Sequence, residues 1–181
     1  MDTTLYHFTS TKNLQGIVSD GIVRLEGYGI ETIVRQINSG LLDERQYAHA
    51  SGQDIRSVWR VMRLQYKMVG RYVWLTEEDD VRCINALEHF DKVALMFDAQ
   101  EIGAKRWTDV MRKRSLRSNK ARKVIRALNQ AARRQGDDIT KWWIVEKEIP
   151  LALCDKAMLS EQGQVSMTLN QSDARNLTRY A

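Results

Sequence analysis

The chain has 181 residues, a formal net charge of +5 and 43% hydrophobic residues, which fits one globular domain with a substantial core. No apolar run approaches the roughly 20 residues of a membrane span, and no signal-peptide pattern is present, so we expect a cytoplasmic protein without a membrane partner. Two cysteines, Cys83 and Cys154, are too few for a disulfide framework, and the absence of CxxC and HExxH spacings argues against a zinc site.

The first predicted element is a strand over residues 4–10, which contains the stretch LYHFTS. Its aromatic and aliphatic residues favour a strand, and the hydroxyl residues that follow favour a turn. Because side chains alternate along a strand, Leu5, His7 and Thr9 are expected to share one face.

Helical patterns dominate the next part of the chain. A helix is expected directly after the first strand, because Ser10 or Thr11 can cap its start and Gly21 suits its C-cap. Apolar residues recur at helical spacing through residues 30–69, with a break near the middle and a second helix over 54–68. The polar stretch between these two helices is predicted to be a loop.

Strand patterns return in the second half. Residues 72–76 and 92–99 are rich in strand formers, and KWWIVEKEIP over 141–150 is predicted to be one further strand that ends at Pro150. QVSMTL near the C-terminus is another candidate strand. This irregular order of strands and helices predicts a single α+β domain over residues 1–181, with a mixed or antiparallel sheet.

The positive charge is concentrated in residues 105–134, where twelve Lys or Arg against one acid give +11, so the rest of the +5 chain sums to −6. Ordinary exposed helices interleave both signs, whereas a segment this basic attracts polyanions. We therefore predict a basic helical segment over 105–135 that binds nucleic acid or another acidic macromolecule; a merely solvated helix face is the alternative. The candidate contacts are Arg112, Lys113, Arg114, Arg117, Lys120, Arg122 and Lys123, with Trp107 as a base-stacking residue.

Three of the predicted strands contain LYHFTS, YVWLT and WWIVEKEIP, in that order, with a helix directly after the first. Together they resemble the ADP-ribosyltransferase superfamily, in its diphtheria-toxin-like and polymerase-like branch. The resemblance implies split mixed or antiparallel sheets with helical insertions, and NAD as the co-substrate in the cleft between the sheets.

The resemblance also assigns roles to the first strand. The family carries a His or Arg there, flanked by an aromatic residue and a small or hydroxyl residue, and YHFTS is similar to that element. It implies that His7 binds the adenosine ribose, while Thr9 and Ser10 shape the nicotinamide site next to Phe8. A single strand histidine is also common as a purely structural residue.

The second and third strands supply the remaining candidates. Trp74 stands where many members of the family have a tyrosine that stacks on nicotinamide, and Tyr72 and Thr76 share its predicted face. In the third strand, Glu146 or Glu148 would be the catalytic carboxylate that stabilises the cation formed as nicotinamide leaves. Core packing of the aromatic residues and a solvated strand face for the glutamates are the alternatives.

The prediction is therefore an NAD-dependent ADP-ribosyltransferase, a glycosyltransferase, that modifies a macromolecule. Its charge favours nucleic acid over protein as the acceptor, in a bacterial toxin, phage or phage-defence context where an antitoxin would be a further partner. The alternative is a non-catalytic ADP-ribosyltransferase-like binding or inhibitor protein that acts through the basic segment. A generic nucleic-acid-binding domain is a third interpretation, although no zinc-finger spacing or RNP-like strand supports it.

Overall fold

A computed structural model describes residues 3–52, 54–79, 93–134, 136–161 and 164–170. Within these ranges the chain forms six α-helices and nine β-strands. The helices are α1 Thr11–Asp20, α2 Tyr28–Asn38, α3 Glu44–Ser51, α4 Ile55–Met68, α5 Trp107–Ser115 and α6 Asn119–Arg134. The strands are β1 Thr4–Thr9, β2 Ile22–Val23, β3 Val73–Thr76, β4 Val93–Asp98, β5 Lys105–Arg106, β6 Trp142–Val145, β7 Ile149–Pro150, β8 Lys156–Glu161 and β9 Gln164–Asn170.

The strands form one large and one small sheet, and every described strand pair is antiparallel. The large sheet has the order β5-β6-β3-β1-β4-β8-β9, and β2 pairs with β7 in the small one. β1 pairs with β4 at six positions but with β3 at one, Tyr6 opposite Thr76, whereas β3 pairs with β6 at four. The large sheet is thus two well-paired halves joined by a short contact between β1 and β3. The predicted α+β class is confirmed.

The described residues form three hydrophobic clusters, and the two larger ones lie on opposite faces of the large sheet. On one face, α1 and the small sheet cover a cluster that includes Leu5, Leu14 and Leu75. On the other face, α5 and α6 pack against the sheet through Trp107 and Ile125, among others. One face of the large sheet is therefore covered by α1 and the small sheet, and α5 and α6 cover the other face beside β3 and β6.

The local signals around β1 and α1 agree with the structure. The Ser10 side chain accepts a hydrogen bond from the backbone N–H of Asn13 at 3.1 Å, which caps α1. Gly21 ends α1 with φ +68°, a left-handed conformation that favours glycine. The β1–α1 unit is therefore set by strong local chemistry.

One predicted loop contains a helix. The polar stretch before residue 54 includes α3, capped by Asp43, whose side chain accepts from the backbone N–H of Gln46 at 2.8 Å. No residue of α3 is buried. A helix without a buried face has no apolar periodicity, and this is why its sequence pattern did not predict it.

The predicted single strand over 141–150 is divided. β6 ends at Val145 in the large sheet, and β7 pairs with β2 in the small sheet, with Val23 opposite Ile149. Residues 146–148 connect the two strands. The prediction of one strand was wrong because alternation of side chains does not distinguish one strand from two that belong to different sheets.

Two strands, β5 and β8, were not predicted, since β5 has two exposed basic residues and β8 follows a short turn after Cys154.

Cys154 is a buried free thiol, and Cys83 lies outside the described residues. No helix in the described ranges is long and apolar enough to cross a membrane.

Candidate functional site

The three strands that carry the candidate residues are neighbours in the large sheet, in the order β6-β3-β1. Tyr6 lies opposite Thr76, and Leu75 lies opposite Trp143. Because successive side chains alternate between faces, His7 shares its face with Leu75 and Trp143. We call this the His7 face.

His7 connects the two halves of the large sheet. Its half-buried ring places Nδ1 2.9 Å from the backbone oxygen of Trp74, next to the short contact between β1 and β3. Since a carbonyl only accepts, Nδ1 carries the proton, and in the neutral ring Nε2 remains an acceptor. Burial lowers the pKa of His7, and the hydrogen bond to Trp74 opposes that shift. The neutral ring is therefore favoured in the folded protein.

This lowered pKa predicts a loss of stability in mild acid. An unfolded histidine with a pKa of 6.5 binds a proton before the folded one does, so stability falls as the pH drops below that value. The slope should reach up to about 1.4 kcal/mol per pH unit. Urea unfolding from about pH 7.5 to about pH 5 should show a shallower decline for His7→Gln than for the parent. His49→Gln, at an exposed position on α3, is the control, and parallel curves for all three proteins would contradict the assignment.

The other candidates of the first strand have structural surroundings. Thr9 lies on the His7 face and is buried. Ser10 caps α1 through its side chain. Phe8 lies on the opposite face, where it packs with Ala94. His7 is thus the one residue of this group whose side chain is both partly exposed and free of a local capping role.

Tyr72 and Trp74 lie on the sheet face opposite His7. Tyr72 is fully buried, its hydroxyl donates to the backbone oxygen of Val69 at 2.5 Å, and burial raises its pKa to about 12. The indole N–H of Trp74 donates to Glu26 Oε2 at 2.7 Å. Thr76, on the same face, is buried. The side chains of these three predicted cofactor contacts therefore lie on the face opposite the His7 side chain, although His7 binds the backbone oxygen of Trp74.

Glu146 and Glu148 lie in the connection between β6 and β7 and have different partners. Glu146 binds Lys105 Nζ at 3.0 Å and Arg114 Nη2 at 2.9 Å. Hydrogen bonds from both cations lower the pKa of Glu146. Glu148 binds Arg24 Nη1 at 3.3 Å, next to the small sheet. No contact in the described part of the chain joins either carboxylate to His7.

A carboxylate on the His7 face comes from a residue that sequence reasoning did not select. Glu77 follows β3 directly and, two positions after Leu75, shares its face. Its Oε1 accepts from Trp143 Nε1 at 2.8 Å and from Arg106 Nη2 at 2.8 Å. The guanidinium carbon of Arg106 lies 4.7 Å from the Trp143 ring centroid. The signal that could have identified Glu77 is its position two residues after Leu75, since side chains two apart share a face. Its use requires the register between β1 and β3 to be known.

A surface depression of about 420 Å³ lies beside this group. Its lining residues are Ala104, Lys105, Arg106, Asp109, Val110, Lys113 and Trp143. The depression connects the His7 face, through Trp143, with the basic residues of β5 and α5. Most of its lining belongs to the basic segment, and none of the predicted NAD contacts is part of it.

The basic segment separates into paired and unpaired cations. Arg112 binds Asp109 at 3.2 Å, and Arg114 binds Glu146. The other five predicted contacts are exposed and have no carboxylate partner within the described residues: Lys113, Arg117, Lys120, Arg122 and Lys123. Trp107 is fully buried and donates through Nε1 to Asn129 Oδ1 at 2.9 Å. The prediction that Trp107 stacks on a base was wrong, because its ring is in the core.

Among the described residues, no group of three or more His, Cys, Asp or Glu side chains is arranged to hold a metal ion.

Comparisons of the chain with protein-family models, with curated proteins and with solved structures found no match.

Proposed function

We propose that this protein is an NAD-dependent ADP-ribosyltransferase whose acceptor is a macromolecule, nucleic acid in preference to protein. One observation carries the proposal: three strands that are distant in sequence lie side by side, and His7 bridges the short contact between β1 and β3. That arrangement agrees with the split sheets that the sequence resemblance implies.

In this proposal, His7 holds a ribose hydroxyl. Its Nδ1 is fixed by the Trp74 carbonyl, so Nε2 of the neutral ring is left to accept a hydrogen bond from a ligand. A fixed acceptor of this kind orients the substrate before any bond breaks. The lowered pKa of His7 keeps the ring neutral near pH 7, which preserves the acceptor.

The reaction also requires a carboxylate beside the nicotinamide ribose. Cleavage of the nicotinamide–ribose bond produces positive charge on the sugar, and a fixed anion next to it lowers the barrier. Glu146 and Glu148 remain candidates, and Glu77 joins them because strand alternation sets it on the His7 face. Glu77 and Glu146 each bind cationic side chains, which hold the two carboxylates in place.

The test is transfer of label from NAD that carries the label in its ADP-ribose part. Purified protein is incubated with DNA, RNA or cell protein, and release of nicotinamide is measured in parallel. We expect label on nucleic acid, and a loss on the order of 100-fold or more with His7→Ala. Among Glu77→Gln, Glu146→Gln and Glu148→Gln, the catalytic carboxylate should give a comparable loss. Glu101→Gln, an exposed carboxylate after β4, is the control.

Circular dichroism and thermal melting of each variant separate lost chemistry from lost folding. The proposal fails if the folded parent protein neither releases nicotinamide nor labels any of the three acceptors. It also fails if His7→Ala is as active as the parent.

A second candidate is a non-catalytic binding protein with the same architecture. It is favoured by the ion pairs of Glu146 and Glu148, and by the burial of Tyr72 on the face opposite His7. Such a protein would bind its partner through the basic segment, release no nicotinamide and keep its affinity after Glu146→Gln.

A further inference from the structure

The exposed side of helix α6 carries several cations and no acid, and its other exposed residues are neutral: Asn119, Ala127, Gln130 and Ala131. It carries six Lys or Arg and no acid: Lys120, Arg122, Lys123, Arg126, Arg133 and Arg134. All six are exposed, whereas Ala121, Ile125 and Ala132 are buried in the hydrophobic cluster that also contains Trp107. We call these six residues the α6 surface. Its last three members extend the predicted contacts toward the end of the helix.

The charges of the α6 surface are not neutralised within the described part of the chain. None of its six side chains has a carboxylate within ion-pair distance there. By contrast, Lys105, Arg106, Arg112 and Arg114, which precede α6, each bind a carboxylate. The field of the basic segment therefore originates mainly from α6.

The shape of the α6 surface fits a row of phosphates. Its helix has 16 residues and, at about 1.5 Å per residue, is roughly 24 Å long. At about 3.4 Å per base pair, this length corresponds to roughly seven base pairs of a duplex. Four of the six cations lie in the first half of that length and two at its end, so they can reach phosphates near both ends of it.

The α6 surface offers no platform for unstacked bases. Helix α6 contains no aromatic residue, and the aromatic residue beneath it, Trp107, is fully buried. Single strands are usually held by aromatic rings that stack on successive bases. Cations without aromatic residues favour the regular backbone of a duplex instead.

We propose that the α6 surface binds the phosphate backbone of a nucleic-acid duplex without reading its sequence. This inference rests on the proposed function in one respect: the bound duplex would be the acceptor of ADP-ribose. The binding itself requires neither NAD nor a catalytic carboxylate. DNA and RNA duplexes share the chemistry on which it depends.

The experiment is fluorescence anisotropy of the full chain, without NAD, over about 50 to 200 mM salt. The probes are a labelled DNA duplex, an RNA duplex and a single strand, each of about 20 nucleotides per strand and therefore longer than the α6 surface. The triple variant Lys123→Gln, Arg126→Gln, Arg133→Gln is compared with Arg60→Gln, Arg63→Gln, Lys67→Gln. The latter removes the same charge from exposed positions on α4.

We expect the parent to bind at least one duplex more tightly than the single strand. The α6 variant should lose at least tenfold in affinity at low salt, and the slope of log K against log salt should fall by about 0.9 for each lost phosphate contact. The α4 variant should keep the parent slope. Equal losses in both variants, tighter binding of the single strand, or no binding of either duplex would overturn the proposal.

Failure of this proposal and failure of the proposed function give different results. Label transfer and nicotinamide release are measured with each of the three acceptors present, and duplex binding is measured in the absence of NAD. An active enzyme that does not bind a duplex would overturn the α6 assignment alone, whereas duplex binding without any release of nicotinamide would support it and contradict the enzyme.

Discussion

Replacing Gly70 by alanine is expected to lower the free energy of unfolding by about 2–6 kcal/mol. Gly70 has φ +117°, a conformation that costs other residues about 1–3 kcal/mol. A Cβ at this position would also lie 2.7 Å from Cζ of Tyr72. The Tyr72 ring cannot easily move aside, because it is fully buried and contacts the rings of Trp74 and Trp107 edge to face. Overpacking of this kind adds roughly another 1–3 kcal/mol.

Gly16→Ala is the matched control for Gly70→Ala. Gly16 lies inside α1, and a Cβ there would meet no atom within 4 Å. Alanine should therefore stabilise the protein by about 0.5–1 kcal/mol. Urea unfolding of both variants should give shifts of opposite sign. A Gly70→Ala protein as stable as the parent would mean that Tyr72 and the turn before β3 can relax.

The second large effect is expected from Trp107→Ala, with a loss of about 3–5 kcal/mol. Trp107 begins α5, is fully buried and lies 4.6 Å from the Trp74 ring, measured between centroids. Its indole N–H also donates a hydrogen bond to the side-chain oxygen of Asn129. Alanine would leave a cavity between the sheet and the two basic helices, together with an unpaired amide oxygen.

Trp107→Phe separates packing from hydrogen bonding at this position. It keeps an aromatic ring but removes the N–H, so we expect a smaller loss of about 1–3 kcal/mol, attributable to the unsatisfied Asn129 oxygen. Thermal or urea unfolding measures both variants. A stable Trp107→Ala protein with weakened nucleic-acid binding would contradict the buried position and restore the base-stacking role.

Local signals were sufficient for much of the fold. The cap at Ser10 and the glycine at Gly21 fixed the bounds of α1, because the capping bond to Asn13 and the left-handed φ depend on a few adjacent residues. The apolar spacing before Met68 likewise identified α4. Signals of this kind act within one or two turns, and their energies do not depend on the partners across the sheet.

The candidate site depended on information that no local pattern carries. The sequence identified His7 and the three strands that lie side by side. It did not show which side chains of these strands share a face of the sheet. A single register position, Tyr6 opposite Thr76, places Tyr72 and Trp74 away from His7. The same register brings Glu77 onto the His7 face. A slip of one residue would reverse every one of these assignments.

By itself, the sequence determined the α+β class, the strand that carries His7 and the concentration of positive charge around α6. These follow from composition and from chemistry between near neighbours in the chain. Only the tertiary structure decided that Trp107 is core, that residues 146–148 connect two different sheets, and which cations have carboxylate partners. Burial, register and ion pairing are properties of residues far apart in sequence, and they exist only once the sheet has assembled.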